Sequence, residues 1–130
     1  MVGTKQATAS SGVATFSNLG LSGINGTNYT ITYSAAGFTA TQSIAAATGN
    51  AYKLALTTPG VGGTSGVDFT TQPIVKVEDI AGNVITLDSS TQVAVTTSTD
   101  LCYLANATAT ATNGIAQFST FSMSGTAGTI

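Results

Sequence analysis

The side chains of this sequence that could bind a metal ion are three carboxylates on either side of one predicted turn. Glu78, Asp79 and Asp88 offer the oxygen ligands that Ca²⁺ prefers, and a hairpin would bring them near one another. They lack the dense Asp-x-Asp-x-Asp spacing of a calcium loop, so a solvated strand face with a turn aspartate is the favoured interpretation. We therefore predict no metal and no cofactor, with these three residues as weak calcium candidates.

The composition excludes most catalytic and nucleic-acid-binding chemistry. The 130-residue chain has no His, and its three basic residues are Lys5, Lys53 and Lys76, so it has no Arg. A Ser-His-Asp relay, an imidazole metal site and a bidentate guanidinium clamp are therefore missing. The formal net charge of −2 leaves no basic footprint for nucleic acid. We predict a protein that is not an enzyme and does not bind nucleic acid.

The remaining reactive side chains are better explained as structural ones. Cys102 is the only cysteine and lies in the apolar run Leu101–Leu104, which favours a small buried hydrophobe over a reactive thiol. Lys53 and Lys76 alternate with apolar residues and should point outward, which disfavours an isopeptide cross-link beside a buried acid. The uncharged stretches are interrupted by Thr, Ser, Asn and Gly, so we expect no membrane insertion.

Three asparagines match the acceptor pattern for N-glycosylation, Asn-x-Ser/Thr. They are Asn25, Asn28 and Asn106. The pattern arises by chance in a chain rich in Asn and Thr, so it matters only in a host that glycosylates its surface proteins.

The elements that position these side chains are predicted to be β-strands. Apolar and polar residues alternate with a period of two, and no apolar stripe has the helical period. The alternating stretches are 29–34, 52–57, 75–78, 85–88 and 93–96. We expect one face of each strand to enter a core that also takes most of the aromatic residues, and the other face to meet water.

Turn residues punctuate these strands. Asp79–Asn83 predicts a hairpin turn with positive φ at Gly82 or Asn83. Pro59 and the glycines after it end one strand, and Pro73 opens the next. Short strands with frequent turns predict an all-β protein built as an antiparallel Greek-key sandwich.

One segment of the sequence occurs twice. Residues 12–27 (GVATFSNLGLSGINGT) and 114–129 (GIAQFSTFSMSGTAGT) are identical at eight of sixteen positions when aligned at an offset of 102. A period of about 100 residues fits a repeated sandwich domain and not a short solenoid repeat. The first copy continues into residues 28–48, whereas the second is followed only by Ile130. The chain boundaries are therefore expected to cut across the repeat.

This order of parts predicts two incomplete domains. We expect residues 1–49 to be the C-terminal half of one repeat and residues 50–130 to be the N-terminal part of the next. Residues 28–48 would complete the sheet of the second part, within the chain or in a neighbouring copy. A fragment of a longer tandem array and a circularly permuted domain both remain open.

The motifs of the second part resemble the Ig-like tandem repeats of large bacterial surface and adhesin proteins, the invasin-like and filamin-like modules. The resemblance is carried by Leu54–Thr57, Phe69–Pro73, Val75–Asp79 with Ala81–Asn83, and Asn113–Phe118. It covers nearly all of residues 7–130 once the permuted order is allowed. It implies an all-β, antiparallel Greek-key Ig-like β-sandwich that is extracellular and lies at the cell surface.

Together these features predict a structural module without catalysis. We expect an Ig-like spacer or stalk, or a surface-layer building block, of a cell-surface or adhesion protein. Its partners would be copies of itself or neighbouring Ig-like repeats, and a host-surface or cell-wall ligand remains open. The alternative is a fibre subunit that donates residues 28–48 to a neighbour's sheet. A carbohydrate-binding module is less favoured, because no aromatic platform accompanies Thr-rich faces such as that of Thr108, Thr110 and Thr112.

Overall fold

The computed structural model describes residues 1–126, which form β-strands and no helix. Every strand pair among them is antiparallel. The prediction of an all-β antiparallel protein is therefore confirmed. Residues 127–129, the end of the second repeat copy, lie outside the described residues.

The strands of the described chain are short, as the frequent Gly and Pro residues predict. In chain order they are β1 (Asn28–Ala35), β2 (Phe38–Ala45), β3 (Lys53–Thr58), β4 (Val67–Asp68), β5 (Ile74–Glu78), β6 (Gln92–Ala94), β7 (Cys102–Ala105), β8 (Thr108–Thr110), β9 (Ile115–Gln117) and β10 (Ser122–Gly125). The strands fall into two compact units, which are described separately. The first unit is Met1–Gly49 with Ile80–Asn83, and the second is Asn50–Asp79 with the chain from Val84 onward.

The first unit contains one β-hairpin. β1 and β2 pair from Asn28 with Ala45 to Ala35 with Phe38, and form a two-stranded sheet. The tyrosine and isoleucine side chains of β1 are half-buried, while the Thr and Ser side chains between them are exposed. The alternation predicted for residues 29–34 is therefore confirmed. All of β2 is exposed.

The rest of the first unit is irregular but is tied together by specific hydrogen bonds. Val2 and Gly20 form an isolated antiparallel bridge. The buried Asn83 side chain accepts the backbone N–H of Asn25 at 2.8 Å and donates to the carbonyl of Gly23 at 2.8 Å. Gly82 has a φ of 89°, which confirms the positive φ predicted for this turn.

The second unit arranges its strands in three small sheets. Their strand orders are β3-β5-β9, β4-β10-β7 and β6-β8. Side chains from these sheets meet in one core. Its buried members are Val77, Val93, Ala111, Ala116, Phe118 and Phe121. Sheets that share one core in this way fit a β-sandwich.

Three phenylalanines and one glutamine hold the centre of that core. The ring of Phe121 lies 4.9 Å from that of Phe69 and 5.9 Å from that of Phe118, both edge-to-face. The Gln72 amide group accepts the N–H of Phe121 at 2.9 Å and donates to the carbonyls of Phe69 and Phe121. Its polar atoms therefore satisfy backbone groups between packed rings.

Two parts of the predicted pattern are wrong. Residues 85–88 are not a strand, because Asp88 donates its N–H to the carbonyl of Ile85 and closes a turn, which leaves Leu87 95% exposed. Most of the nine aromatic residues do not lie in the core either: Phe118 and Phe121 are buried in it and Phe69 packs against it, whereas Phe38, Tyr52 and Tyr103 are exposed. Alternation fixes which residues share a face, but it does not determine whether that face is covered.

Candidate functional site

The structure does not bring the three calcium candidates together. Glu78 lies in β5 directly opposite Lys53 in β3, and its Oε2 is 3.8 Å from the Lys53 Nζ. Asp79, the next residue, is buried. The described residues include no group of three His, Cys, Asp or Glu side chains that could hold a metal ion. A calcium site at Glu78, Asp79 and Asp88 thus has no geometric support here.

Asp88 stabilises its own loop. Its Oδ1 accepts the backbone N–H of Ser90 at 3.0 Å and that of Thr91 at 2.9 Å. The Thr91 side chain and these N–H groups donate hydrogen bonds to the carboxylate and lower the pKa of Asp88 to about 2. The Asp88 carbonyl accepts the N–H of Gly114 at 2.7 Å. The carboxylate therefore orders the loop that holds the second copy of the repeated segment.

The predictions for Cys102 and for the two central lysines are confirmed. Cys102 is a free, buried thiol. Lys53 and Lys76 pair with Glu78 and Ala55, and lie on the face opposite to the one that carries Val77 into the core. They are therefore surface charges on the outer face of the β3-β5-β9 sheet.

The glycosylation candidates lie at exposed positions, but one amide group is already used in the fold. Asn25, Asn28 and Asn106 are all exposed. The Nδ2 of Asn106 donates to the carbonyl of Thr120 at 3.0 Å, and its φ is 52°. Glycosylation of Asn106 would attach the sugar to the same nitrogen that makes this hydrogen bond.

The two copies of the repeated segment begin with the same turn. Ser11 and Gly12 have φ angles of 51° and 79°, and Asn113 and Gly114 have 52° and 76°. In each copy the flanking residues exchange two backbone hydrogen bonds of 2.9 and 3.0 Å. Two consecutive residues with positive φ define a type I′ turn, which joins antiparallel strands. The sequence identity therefore extends to local conformation.

The two copies differ in what surrounds them. In the second unit Ala116 is buried and Phe118 is 2% exposed, and both belong to the core. Their counterparts at the 102-residue offset are Ala14, which is exposed, and Phe16, which is half-buried. The same turn and the same side chains thus have a packed core in one unit and an open surface in the other.

Phe16 lines a groove on that open surface. The groove has a volume of about 560 Å³ and lies within the first unit. Its apolar lining includes Leu19, Ile31 and Tyr33, and the rings of Phe16 and Tyr33 are 5.8 Å apart. Lys5, the only charged side chain of the first unit, also lines it. We call this feature the unit 1 groove.

The second unit also exposes an apolar surface, on β3. Leu54 pairs with Val77, and Leu56 pairs with Val75. Directly opposed residues in an antiparallel pair share a face, so both leucines lie on the core side of the sheet. They are nevertheless 55% and 60% exposed, and Tyr52 on the same face is also exposed. We call Tyr52, Leu54 and Leu56 the β3 apolar face.

The expectation that residues 52–57 send an apolar face into a core is therefore only half right. The face points to the core side of its sheet, but the core ends at β5. The unit 1 groove has no sequence signature of its own, because its lining comes from separate segments that bring Lys5 and Phe16 next to β1. The only signal in the sequence was the repeat, which aligns Phe16 with the core residue Phe118.

Neither a protein-family model nor a curated protein nor a solved structure matches this chain. Within the described part of the chain, no helix is long and apolar enough to span a membrane. The class of protein that the geometry defines is an all-β antiparallel protein with two apolar surfaces, one in each unit.

Proposed function

We propose that this chain is a structural module, an Ig-like Greek-key β-sandwich building block of an extracellular cell-surface or adhesion protein, and not an enzyme. It acts as a spacer, stalk or surface-layer element whose sandwich halves are completed by adjacent halves. The low charge and the Thr- and Ser-rich exposed faces support a passive role.

One observation carries this proposal. The same turn-and-strand motif packs Phe118 into a core in the second unit but leaves Phe16 half-exposed in the first. We expect this difference if the repeat is divided between neighbouring modules, because one copy of the motif would then be separated from the strands that complete its core. The β3 apolar face supports the same interpretation, because its leucines lie on the core side and are exposed.

The second candidate function is a fibre subunit joined by β-strand donation. It is favoured by the β1–β2 hairpin, which forms its own two-stranded sheet and exposes β2 along its whole length. An isolated two-stranded hairpin is marginally stable, so addition to another sheet would stabilise it.

The structural proposal is tested by adding to the second unit a duplicate of the hairpin that follows the first copy of the repeated segment. A second copy of residues 28–48 is added after Thr129, where the repeat predicts it, and thermal unfolding is followed by circular dichroism. Burying the exposed parts of Leu54 and Leu56 would contribute about 2–3 kcal/mol, which corresponds to a rise in Tm of roughly 10 °C.

The matched control is the same extended chain in which the added hairpin carries the changes equivalent to Ile31→Ser and Tyr33→Ser. These changes remove two of the three large side chains from the apolar face and leave the length of the hairpin unchanged. The control should unfold at the temperature of the unextended chain. Equal Tm values for the extended chain and the unextended chain would refute the proposal that the second unit is a sandwich completed by such a hairpin.

A further inference from the structure

We propose that the unit 1 groove of one molecule binds the β3 apolar face of a second copy, so that the chain associates head to tail. This inference rests on the proposed structural role and names the surfaces and the partner. It concerns contacts between two molecules, each contributing a different surface.

The repeated segment relates the groove to a packed core. In the second unit, Ala116 belongs to the core, and within its sheet it pairs with Val75 of β5, which pairs in turn with Leu56 of β3. The equivalent side chains of the first unit, Ala14 and Phe16, line a groove. Where the motif is packed, its strand therefore lies in one sheet with a strand that carries aliphatic residues on alternate positions. The β3 apolar face has that pattern.

Each surface is exposed within its own unit. Leu54 and Leu56 of the second unit are more than half exposed. The groove of the first unit has a volume of about 560 Å³. Exposed apolar surfaces of this kind mark interaction sites, and a second copy of the chain supplies one of each kind.

The two surfaces also belong to units of opposite formal charge. The first unit carries one charged side chain, Lys5, which lines the groove. The second unit carries Lys53 and Lys76 against the five acidic residues of the chain, so its formal charge is 2 − 5 = −3. Contact between unlike units is therefore electrostatically favoured, whereas contact between two second units is not.

These surfaces differ, so the contact is heterologous. Each molecule has one groove and one apolar face, and each contact leaves one of each surface free. Such an association continues into chains unless it closes into a ring. Removing one surface should stop growth without preventing the other surface from binding.

The test uses two variants of the full chain and sedimentation velocity from micromolar to millimolar concentration. Phe16→Asp disrupts the groove, and Leu54→Asp disrupts the apolar face. Leu87→Asp is the control, because Leu87 is 95% exposed and belongs to neither surface. Ile31→Thr and Leu56→Thr replace the first two variants if either fails to give the circular dichroism spectrum of the unmodified chain.

The unmodified chain and the Leu87→Asp variant should associate beyond the dimer. Each surface variant alone should sediment as a 12.8 kDa monomer, and their equimolar mixture should give a dimer of 2 × 12.8 = 25.6 kDa and nothing larger. Lys5→Glu should weaken association by about threefold, and added salt should reduce this difference.

A mixture that stays at 12.8 kDa while the unmodified chain associates would overturn the pairing of these two surfaces. So would an unmodified chain that remains monomeric at millimolar concentration. The latter result would leave the structural role standing, because that role fails only if the added hairpin does not stabilise the second unit.

Discussion

Leu54 and Val77 lie directly opposite each other across β3 and β5, yet Val77 is 2% exposed and Leu54 is 55% exposed. Both side chains point to the same face of the sheet. The core of the second unit therefore covers β5 and stops before β3. An edge strand whose apolar residues face the core side without being covered is the central structural feature of this protein.

The repeated phenylalanines should differ sharply in their contribution to stability. Phe118→Ala removes a buried ring and should lower the free energy of unfolding by about 3–5 kcal/mol. Phe16→Ala, the same change in the other copy, should cost less than about 1.5 kcal/mol because Phe16 is half-buried. Urea denaturation followed by circular dichroism measures both. Equal losses would mean that the two copies have similar surroundings.

The glycines of the two turns give a second matched pair. Gly12 and Gly114 have nearly the same φ, so alanine at either position should cost about 1–2 kcal/mol of backbone strain. A Cβ at Gly114 would also come within 2.6 Å of the Ile85 carbonyl oxygen, whereas a Cβ at Gly12 meets nothing within 4 Å. Thermal unfolding should therefore show a larger loss for Gly114→Ala. A loss no larger than that of Gly12→Ala would contradict the close packing of Ile85 on this turn.

The turn at Gly82, the break after β3 and the strand after Pro73 were all predictable, because Gly permits positive φ and Pro fixes its own φ and lacks an N–H. The burial of Val77 and Val93 also followed from their alternation with polar residues. Turn residues and alternation are local signals. Alternation predicts burial correctly where other residues pack against the apolar side of the strand.

The exposure of Leu54, Leu56 and Leu87 was not predictable from alternation. For β3 the pattern is correct, but covering the face depends on another sheet. For Leu87 the hydrogen bonds of the Asp88 loop override the strand pattern. The groove at Phe16 depends on tertiary contacts among separate segments, and only the repeat hinted at it.

Asp88 should make stability depend on pH in the acid range. Its pKa is lowered from 3.8 to about 2 in the folded chain, so its stabilising effect is complete above the unfolded pKa. That effect is lost as the pH falls from about 4 to about 2. The stability difference between the unmodified chain and Asp88→Asn should therefore be largest at neutral pH and shrink across this window. Urea denaturation at a series of pH values measures it, and a constant difference would contradict the assignment.

Cys102 should be inert to thiol reagents in the folded chain. Its side chain is buried, so labelling requires unfolding, and the rate should rise with urea in step with the unfolding transition. The control carries Cys102→Ser together with Leu101→Cys, which moves the thiol to an exposed neighbouring position. The control should label rapidly without urea. Rapid labelling of the unmodified chain would show that β7 is not packed as described.

The most direct test of an open β3 apolar face is the solvent exposure of the Leu54 and Leu56 methyl groups in dilute, monomeric protein. A soluble paramagnetic agent broadens the NMR signals of exposed methyl groups and spares those of buried ones. An open face predicts strong broadening for Leu54 and Leu56, with little for Val77 and Val93 in the core. Protection of the two leucines to the level of Val77 would contradict it, because β3 would then have no open face to offer a partner.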